Sequence, residues 1–166
     1  QVLTIKMSIP KPWAQISLPA VWERVKKYGG PLIIDFYGNC NRNCLFDASN
    51  AYHGGAIAPG MGISLDALTN HGALLSSVDM KAPKKVISSN TSDCIRSGIM
   101  FGTACMLDGM VDMFTEECKT ECKVIATGGL APLAIKNCRH DIIFDENIIL
   151  DGLKIIYERN EKINTI

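Results

Sequence analysis

Short apolar runs alternate with helical repeats along this chain, and the alternation predicts a mixed α/β fold. A continuous apolar run such as LIIDF predicts a buried strand, whereas apolar residues three or four positions apart predict a helix. Strands are predicted at Leu32–Phe36, near Leu45–Ser49 and at Gly55–Ala58, Lys123–Thr127 and Asp141–Phe144, with a further short strand at Val2–Met7. Helices are predicted at Leu18–Tyr28, Leu65–Leu75, Thr91–Cys118, Leu130–Asn137 and Ile148–Glu158.

Three of these helices carry more detailed expectations. Ser64 is a candidate N-cap for the helix that follows it, because its hydroxyl could accept a backbone N–H. In the closing helix, Leu150, Leu153 and Ile156 are expected to point inward. The helix from Thr91 carries glycines and methionines at helical spacing, a pattern that favours core packing and also suits a subunit interface.

Size and charge narrow the class of protein. A chain of 166 residues with 47% apolar and 20% charged residues suits one globular domain. Seventeen basic and seventeen acidic residues cancel, which argues against a general nucleic-acid or membrane-surface binder. We expect no membrane span and no signal peptide, and the seven scattered cysteines favour reduced thiols over a zinc site. Because the chain starts at Gln1 rather than Met, we expect it to be a fragment.

Two glycine-rich turns are candidate ligand sites. Gly54–Gly60 joins a short strand to a helix, and Gly128–Gly129 does the same after the Lys123–Thr127 strand. The paired glycines of Gly54–Gly60 permit close approach of a ligand or of another chain segment, and the turn at Gly128–Gly129 presents free backbone N–H groups that can bind phosphate. On residue chemistry alone, packing without a ligand is the favoured interpretation of both turns. Asp35 ends a predicted strand before another glycine-containing turn, where it could serve a phosphate site or cap the turn.

Three segments in order, GGAIAPGMGISLDAL, NTSDCIRSG and ATGGLAPL, resemble the C-terminal half of the type III pantothenate kinases. The resemblance runs from about Tyr28 to Arg159. It places the chain in the actin, sugar-kinase and heat-shock ATPase superfamily. The expected fold is a ribonuclease-H-like half-domain: three strands, a helix, a long helix, then strand–helix units. We expect residues 1–30 to be a remnant connecting segment and helix, and residues 31–160 to be the C-terminal domain of such a kinase.

The resemblance implies ATP-dependent phosphorylation of pantothenate, the first step toward coenzyme A. Family members are cytoplasmic homodimers that use ATP, Mg²⁺ and a monovalent cation, K⁺ or NH₄⁺, with no nucleic-acid or membrane partner. Residue by residue, the resemblance assigns pantothenate binding to Thr91, Gly54 and Gly55, ATP binding to Gly38, Gly128 and Gly129, and the monovalent cation to Asp35.

The chain departs from the family pattern in three places. The N-terminal half, with its Asp-x-Gly-Asn-Thr phosphate loop, is absent. The catalytic Asp is missing as well, because its place near Ile16 reads Ala-Gln-Ile-Ser. The threonine-rich phosphate motif after Leu32 reads DFYGNCNRNC. We therefore expect this chain alone to be inactive.

Several explanations of the departures stay open. Shifting the reading frame of WAQISLP and GNCNRN makes both missing motifs accessible, so one hypothesis is a kinase gene read through local frameshifts. A second is a non-catalytic homologue that acts as a binding or regulatory protein, like the Bvg accessory factors. A third is a damaged fragment that folds only in part. The genomic DNA across this region would decide between them.

Overall fold

The computed structural model describes residue 28 and residues 32–36, 40–46, 52–71, 78–119, 121 and 123–164. The predicted Val2–Met7 strand and, apart from Tyr28, the Leu18–Tyr28 helix lie outside these residues. The strands are β1 (Leu32–Phe36), β2 (Cys40–Phe46), β3 (Tyr52–Pro59), β4 (Val124–Thr127) and β5 (Ile142–Phe144). The helices are α1 (Met61–His71), α2 (Thr91–Cys118), α3 (Ala131–Ile135) and α4 (Ile148–Asn164).

The five strands form one mixed sheet in the order β3-β2-β1-β4-β5. The first three strands are antiparallel neighbours, whereas β4 and β5 run parallel to β1. Parallel neighbours need a crossover connection, and α1 and α2 supply it between β3 and β4. The predicted architecture is therefore confirmed.

Strand β2 starts five residues earlier than the predicted strand near Leu45, at Cys40. The polar letters CNRNC gave no strand signal, yet this segment pairs with β1 on one side and β3 on the other. Backbone hydrogen bonds to two neighbours outweigh the low strand propensity of asparagine. The consequence is that Asn41, Arg42 and Asn43 are all buried.

The Gly54–Gly60 segment is a strand that Pro59 ends, as its proline predicts. Gly54 has a φ of 126°, a backbone conformation that side chains other than glycine rarely adopt. Gly55 lies against β2 so closely that an added Cβ would sit 2.0 Å from the carbonyl oxygen of Asn43. Both glycines are thus required by the geometry of the sheet itself.

Helix α1 begins at Met61 rather than Leu65, so the prediction that Ser64 is the N-cap was wrong. The backbone N–H of Ser64 already donates to the carbonyl oxygen of Gly60 at 3.0 Å, which places Ser64 inside the first turn. A single residue, Gly60, separates the end of β3 at Pro59 from the start of α1 at Met61.

Helix α2 covers Thr91–Cys118 as predicted, and it forms the main core with the sheet. The side-chain oxygen of Asn90 accepts the backbone N–H of Asp93 at 2.9 Å and caps the helix. The buried side chains that meet at this core include Ile99, Leu107 and Val111 of α2, Val124 and Ala126 of β4, and Ala131 and Ala134 of α3.

No membrane span was expected from the sequence, but α2 is long and apolar enough to cross a membrane by length and composition. However, 44% of its most apolar window is buried within the protein. Its buried residues pack in the core cluster with the sheet and α3, which is the setting of a core helix.

The expectation that Leu150 and Leu153 of α4 point inward was wrong. Leu150 is 65% exposed and Leu153 37% exposed, whereas Ile148 is fully buried. Gly152 is buried and Ile156 is partly buried. Since residues four apart share a helix face, the burial of Ile148 brings Gly152 into the interior and turns Leu150 outward.

We predict that Gly55→Ala will destabilise the fold, because the new Cβ would collide with the β2 backbone. Overpacking of this kind costs about 1–3 kcal/mol. Urea unfolding measures the loss. Gly102→Ala is the matched control: it lies on α2 with open space around it, and alanine should stabilise a helix there by up to about 1 kcal/mol. An unchanged unfolding midpoint for Gly55→Ala would contradict the close approach.

Candidate functional site

The carboxyl ends of three strands meet at one edge of the sheet. Asp35 of β1 is the register partner of Thr127, the last residue of β4. The backbone N–H of Asp145, directly after β5, donates to the carbonyl oxygen of Ala126 at 2.9 Å. In α/β proteins ligands bind outside the carboxyl ends of parallel strands. The structure therefore brings two of the predicted features, Asp35 and the Gly128–Gly129 turn, to the same edge.

The Gly128–Gly129 turn is tight. Gly128 has a φ of 97°, and its carbonyl oxygen accepts the backbone N–H of Ala131 at 3.1 Å. Gly129 is exposed and has no atom within 4 Å of the position that a Cβ would occupy. A flat ligand surface, such as a nucleoside, could approach the backbone at Gly129 without steric hindrance.

Sequence reasoning missed Asp145 at this edge. Its carboxylate accepts the Tyr28 hydroxyl at 2.9 Å and the backbone N–H of Asn147 at 3.2 Å. The sequence signal for Asp145 was the same as for Asp35, namely an acidic residue at the end of a strand. That signal was weaker for Asp145 because β5 is only three residues long. Asp145 thus joins residue 28, which precedes the sheet in the chain, to the strand ends.

Thr91 is exposed at the first position of α2, and the polar contacts around it run to the preceding loop. The Asp93 carboxylate accepts from the Asn90 amide and from Arg96, each at 2.8 Å, and Arg96 also binds Asp79. The Asn90 amide and the Arg96 guanidinium lower the pKa of Asp93. The loop is therefore held to the first turn of α2 by a charged network that leaves Thr91 open to solvent.

Gly54 and Gly55 lie apart from the strand-end site. Two strands separate β3 from β4, and adjacent strands are about 4.8 Å apart, so the two glycine turns are about 14 Å apart across the sheet. Along the strands, Gly54 is level with Leu45, which pairs with Leu32 at the start of β1. A substrate role for Gly54 and Gly55 stays a prediction. Gly38 and Ile16 lie outside the described residues.

Strand β2 places unusual side chains beside Asp35. Arg42 is the antiparallel register partner of Asp35 and is only 8% exposed. Asn41 and Asn43 are fully buried, and neither the amide nitrogen nor the amide oxygen of either side chain has a hydrogen-bond partner. The role of Asp35 as a cation ligand stays a prediction. Among the described residues, no cluster of three or more His, Cys, Asp or Glu side chains could hold a metal ion.

Asp108 fixes the middle of α2 to the segment before β5. This carboxylate is 2% exposed and accepts the backbone N–H groups of Arg139 at 3.0 Å and His140 at 3.2 Å. The Arg139 guanidinium adds a contact at 3.3 Å. Burial alone would raise the pKa of Asp108, but these hydrogen bonds together lower it. One turn later Asp112 contacts the His140 ring at 2.7 Å.

An open cavity of about 750 Å³ lies beside these residues, at the amino ends of β4 and β5. Four acids, Asp112, Glu116, Glu121 and Asp141, outnumber the single lysine in its lining. A surface of this charge repels phosphate groups. The cavity also lies at the opposite end of the strands from the predicted nucleotide turn. For both reasons, its charge and its position, it does not suit ATP.

We predict that Asp108→Asn will lower stability at neutral pH by about 1–3 kcal/mol, since buried N–H donors lose an acceptor. The sign of the pH effect follows from the lowered pKa. The stabilisation is complete above the usual aspartate value of about 3.9 and is lost as the pH falls through the folded-state value. Unfolding measured between pH 6 and pH 2 should show the gap between parent and variant closing in acid. Asp112→Asn, a more exposed position, is the control; parallel pH profiles for the parent and Asp108→Asn would contradict this role.

Comparison with known proteins identifies relatives over most of the chain. A family model described as type III pantothenate kinase matches residues 16–113, which is 98 of 166 residues. A type III pantothenate kinase of Thermobifida fusca is 37% identical over 159 residues, covering 94% of this chain and 62% of the relative. The chain spans 50% to 62% of the length of the curated relatives it matches.

Solved structures of low sequence identity share the fold. A protein from Campylobacter jejuni named as a Baf family transcriptional activator has a TM-score of 0.58 at 17% identity, covering 93% of this chain and 68% of that one. The activator of 2-hydroxyisocaproyl-CoA dehydratase from Clostridium difficile, with bound ADPNP, has a TM-score of 0.55 at 13% identity, with coverages of 90% and 69%. An archaeal actin homologue has the same TM-score at 10% identity, with coverages of 90% and 55%.

The sheet order and these neighbours agree on an actin-like ATPase fold. The family model covers more than half of the chain, and it includes the α1 and Thr91 segments that carried the resemblance in the sequence. The chain therefore belongs to the type III pantothenate kinase family.

Proposed function

We propose that this chain is part of an enzyme that transfers the γ-phosphoryl group of ATP to pantothenate. The observation that carries the proposal is the family match over residues 16–113, whose relatives are named for this activity. The chain spans only about half of those relatives, so the whole reaction is assigned to a protein that includes the remaining half. Residues 31–160 are the proposed C-terminal, ribonuclease-H-like domain of that enzyme, preceded by a connecting segment in residues 1–30.

In this proposal the strand-end edge is the ATP side of the site. Gly129 offers an open backbone surface to the adenosine. Gly128 and Gly38 are proposed to bind ATP with it. A neighbour of the same fold that carries bound ADPNP supports nucleotide binding. Mg²⁺ enters as part of the Mg–ATP substrate. Asp35, the register partner of Arg42, is the proposed position of the monovalent cation, K⁺ or NH₄⁺.

Thr91 is the proposed contact for pantothenate. Its position supports this, because it is exposed at the first turn of α2 while Asn90 and Arg96 hold the surrounding backbone. Pantothenate carries a carboxylate, and the first turn of a helix favours negative charge. Gly54 and Gly55 are proposed to lie near the same substrate in the assembled protein. We further propose a cytoplasmic homodimer with no nucleic-acid or membrane partner.

A second candidate function is regulatory binding without catalysis, as in the Bvg accessory factors. Two observations favour it: no carboxylate stands near Ile16, and asparagines replace the threonines of the phosphate motif. The fold neighbour named as a Baf family transcriptional activator fits the same reading. Transfer of phosphate by a restored full-length protein would decide for the kinase.

We predict that the 166-residue chain alone will not phosphorylate pantothenate at a useful rate. Loss of a general base typically costs a hundred- to ten-thousand-fold, about 3–5 kcal/mol of barrier, and poor ATP positioning adds to it. A coupled ADP-release assay should compare this chain with a full-length version in which the N-terminal half, the catalytic Asp and the threonine motif are restored. Turnover by the chain at a comparable rate would contradict the prediction, and an inactive restored protein would overturn the proposed kinase function.

We predict that α2 mediates self-association, because Gly98, Gly102 and Cys105 are exposed and Met113 is 66% exposed. Such a surface without a partner is prone to associate. Sedimentation of the parent should show dimers or larger species, and Met113→Glu should shift the population toward monomer. Leu150→Glu is the control, since it changes an equally exposed apolar residue on α4. A parent that stays monomeric at high concentration would contradict the interface.

A further inference from the structure

The solvent-facing side of α2 changes in character along the helix. Its residues recur every three or four positions and therefore share one face: Gly98, Gly102, Cys105, Gly109, Asp112 and Glu116. The three glycines each leave open space at the position of a Cβ. The middle of this face is therefore small and open to close approach, whereas its C-terminal end is acidic.

A basic loop, residues 81–87, borders the N-terminal end of the same helix. The loop carries three exposed lysines, Lys81, Lys84 and Lys85. Ile87 at its end is 89% exposed. The thiol of Cys94, in the first turn of α2, donates to the carbonyl oxygen of Ser88 at 3.2 Å. The loop is thereby attached beside the start of the helix.

The C-terminal end of the face borders the acidic cavity. Asp112 and Glu116 belong to both, and Glu121 adds a further exposed carboxylate to the cavity. Cys94 and Glu116 lie about 33 Å apart along α2, since an α-helix rises 1.5 Å per residue. The basic loop and the acidic cavity of one chain are therefore too far apart to meet.

We propose that two copies of this chain pack antiparallel along this face of α2, so that the basic loop of each copy lies at the acidic cavity of the other. Pairing centred on Cys105 brings Gly98 opposite Asp112 and Cys94 opposite Glu116, because the members of each pair are equally distant from Cys105 in the sequence. The two-fold symmetry forms both loop–cavity contacts at once. The inference deepens the proposed homodimer and rests on it, but it does not rest on kinase activity.

Charge selects the antiparallel arrangement over the parallel one. Parallel helices would place lysines beside lysines and carboxylates beside carboxylates, and like charges repel. Antiparallel helices place each basic loop beside carboxylates. The chain has no net charge, so no overall repulsion opposes the approach of a second copy. The glycines between the two charged ends let the helix backbones come close, because no Cβ intervenes.

The first test is zero-length carbodiimide cross-linking, which joins a lysine to a carboxylate in direct contact. An equimolar mixture of unlabelled and ¹⁵N-labelled parent chain is cross-linked, and the linked peptides are identified by mass spectrometry. We expect Lys84 or Lys85 joined to Glu116, Glu121 or Asp141. The linked peptides should include pairs with one labelled and one unlabelled member, which shows that the link joins two copies.

The second test reverses the charges at each end separately. The double variants Lys84→Glu/Lys85→Glu and Glu116→Lys/Glu121→Lys should each self-associate about tenfold more weakly than the parent, because attraction becomes repulsion. An equimolar mixture of the two should associate like the parent, since each altered end then meets the opposite charge. Sedimentation at low salt measures all of these. Lys136→Glu/Lys154→Glu, which reverses two exposed lysines outside the loop, is the control and should associate like the parent.

A dimeric parent in which Lys84 and Lys85 link to none of these three acids would overturn the antiparallel arrangement. So would a monomeric parent, or a mixture that associates no better than its two components. Cross-linking uses the parent chain and therefore decides even where a variant does not fold. Neither measurement uses ATP or pantothenate. An inactive restored kinase would therefore overturn the kinase function alone, and failed cross-linking would overturn this arrangement alone.

Discussion

Pairing of β1 on both of its edges is the constraint on which the rest of the structure depends. One edge carries the antiparallel strands β2 and β3, and the other carries the parallel strands β4 and β5. Backbone hydrogen bonds set the register, and a slip of one residue would move every side chain of a strand to the other face. The same register that puts Leu45, Val124 and Ala126 into the core thereby puts Asp35 between Arg42 and Thr127.

Elements with a strong local signal were predictable from sequence. The bounds of β1 and α2 agree with the prediction, because a continuous apolar run and an Asn90 cap are encoded within a few residues. The start of β2, the first turn of α1 and the inward face of α4 were not predictable. Each depends on a tertiary contact: two neighbouring strands for Cys40, the Gly60 turn for Ser64, and the core position of Ile148 for Leu150.

The candidate site shows the same division between local and tertiary signals. Sequence motifs found Asp35 and Gly128, and strand pairing brought them to one edge. Motifs alone could not show that two strands separate Gly54 and Gly55 on β3 from the Gly128 turn after β4. Nor could they show that the backbone geometry of the sheet already requires Gly54 and Gly55. Asp145 was missed because its importance lies in a contact with Tyr28, 117 positions earlier in the chain.

The buried polar side chains on the two faces of β2 are relevant to the hypothesis that the CNRNC segment is read in a shifted frame. On one face, Arg42 is only 8% exposed, and its register partner is Asp35. On the core face, Asn41 and Asn43 bury four amide atoms without hydrogen bonds, and each unsatisfied group typically costs about 1–3 kcal/mol. Threonines at these positions would bury one small hydroxyl each and suit a strand better. Because folding gains nothing from the asparagines, their burial supports the hypothesis that the segment is read out of its original frame. The apolar flanks of the sheet still hold the segment as a strand, since Leu45 and Phe46 are buried at its end.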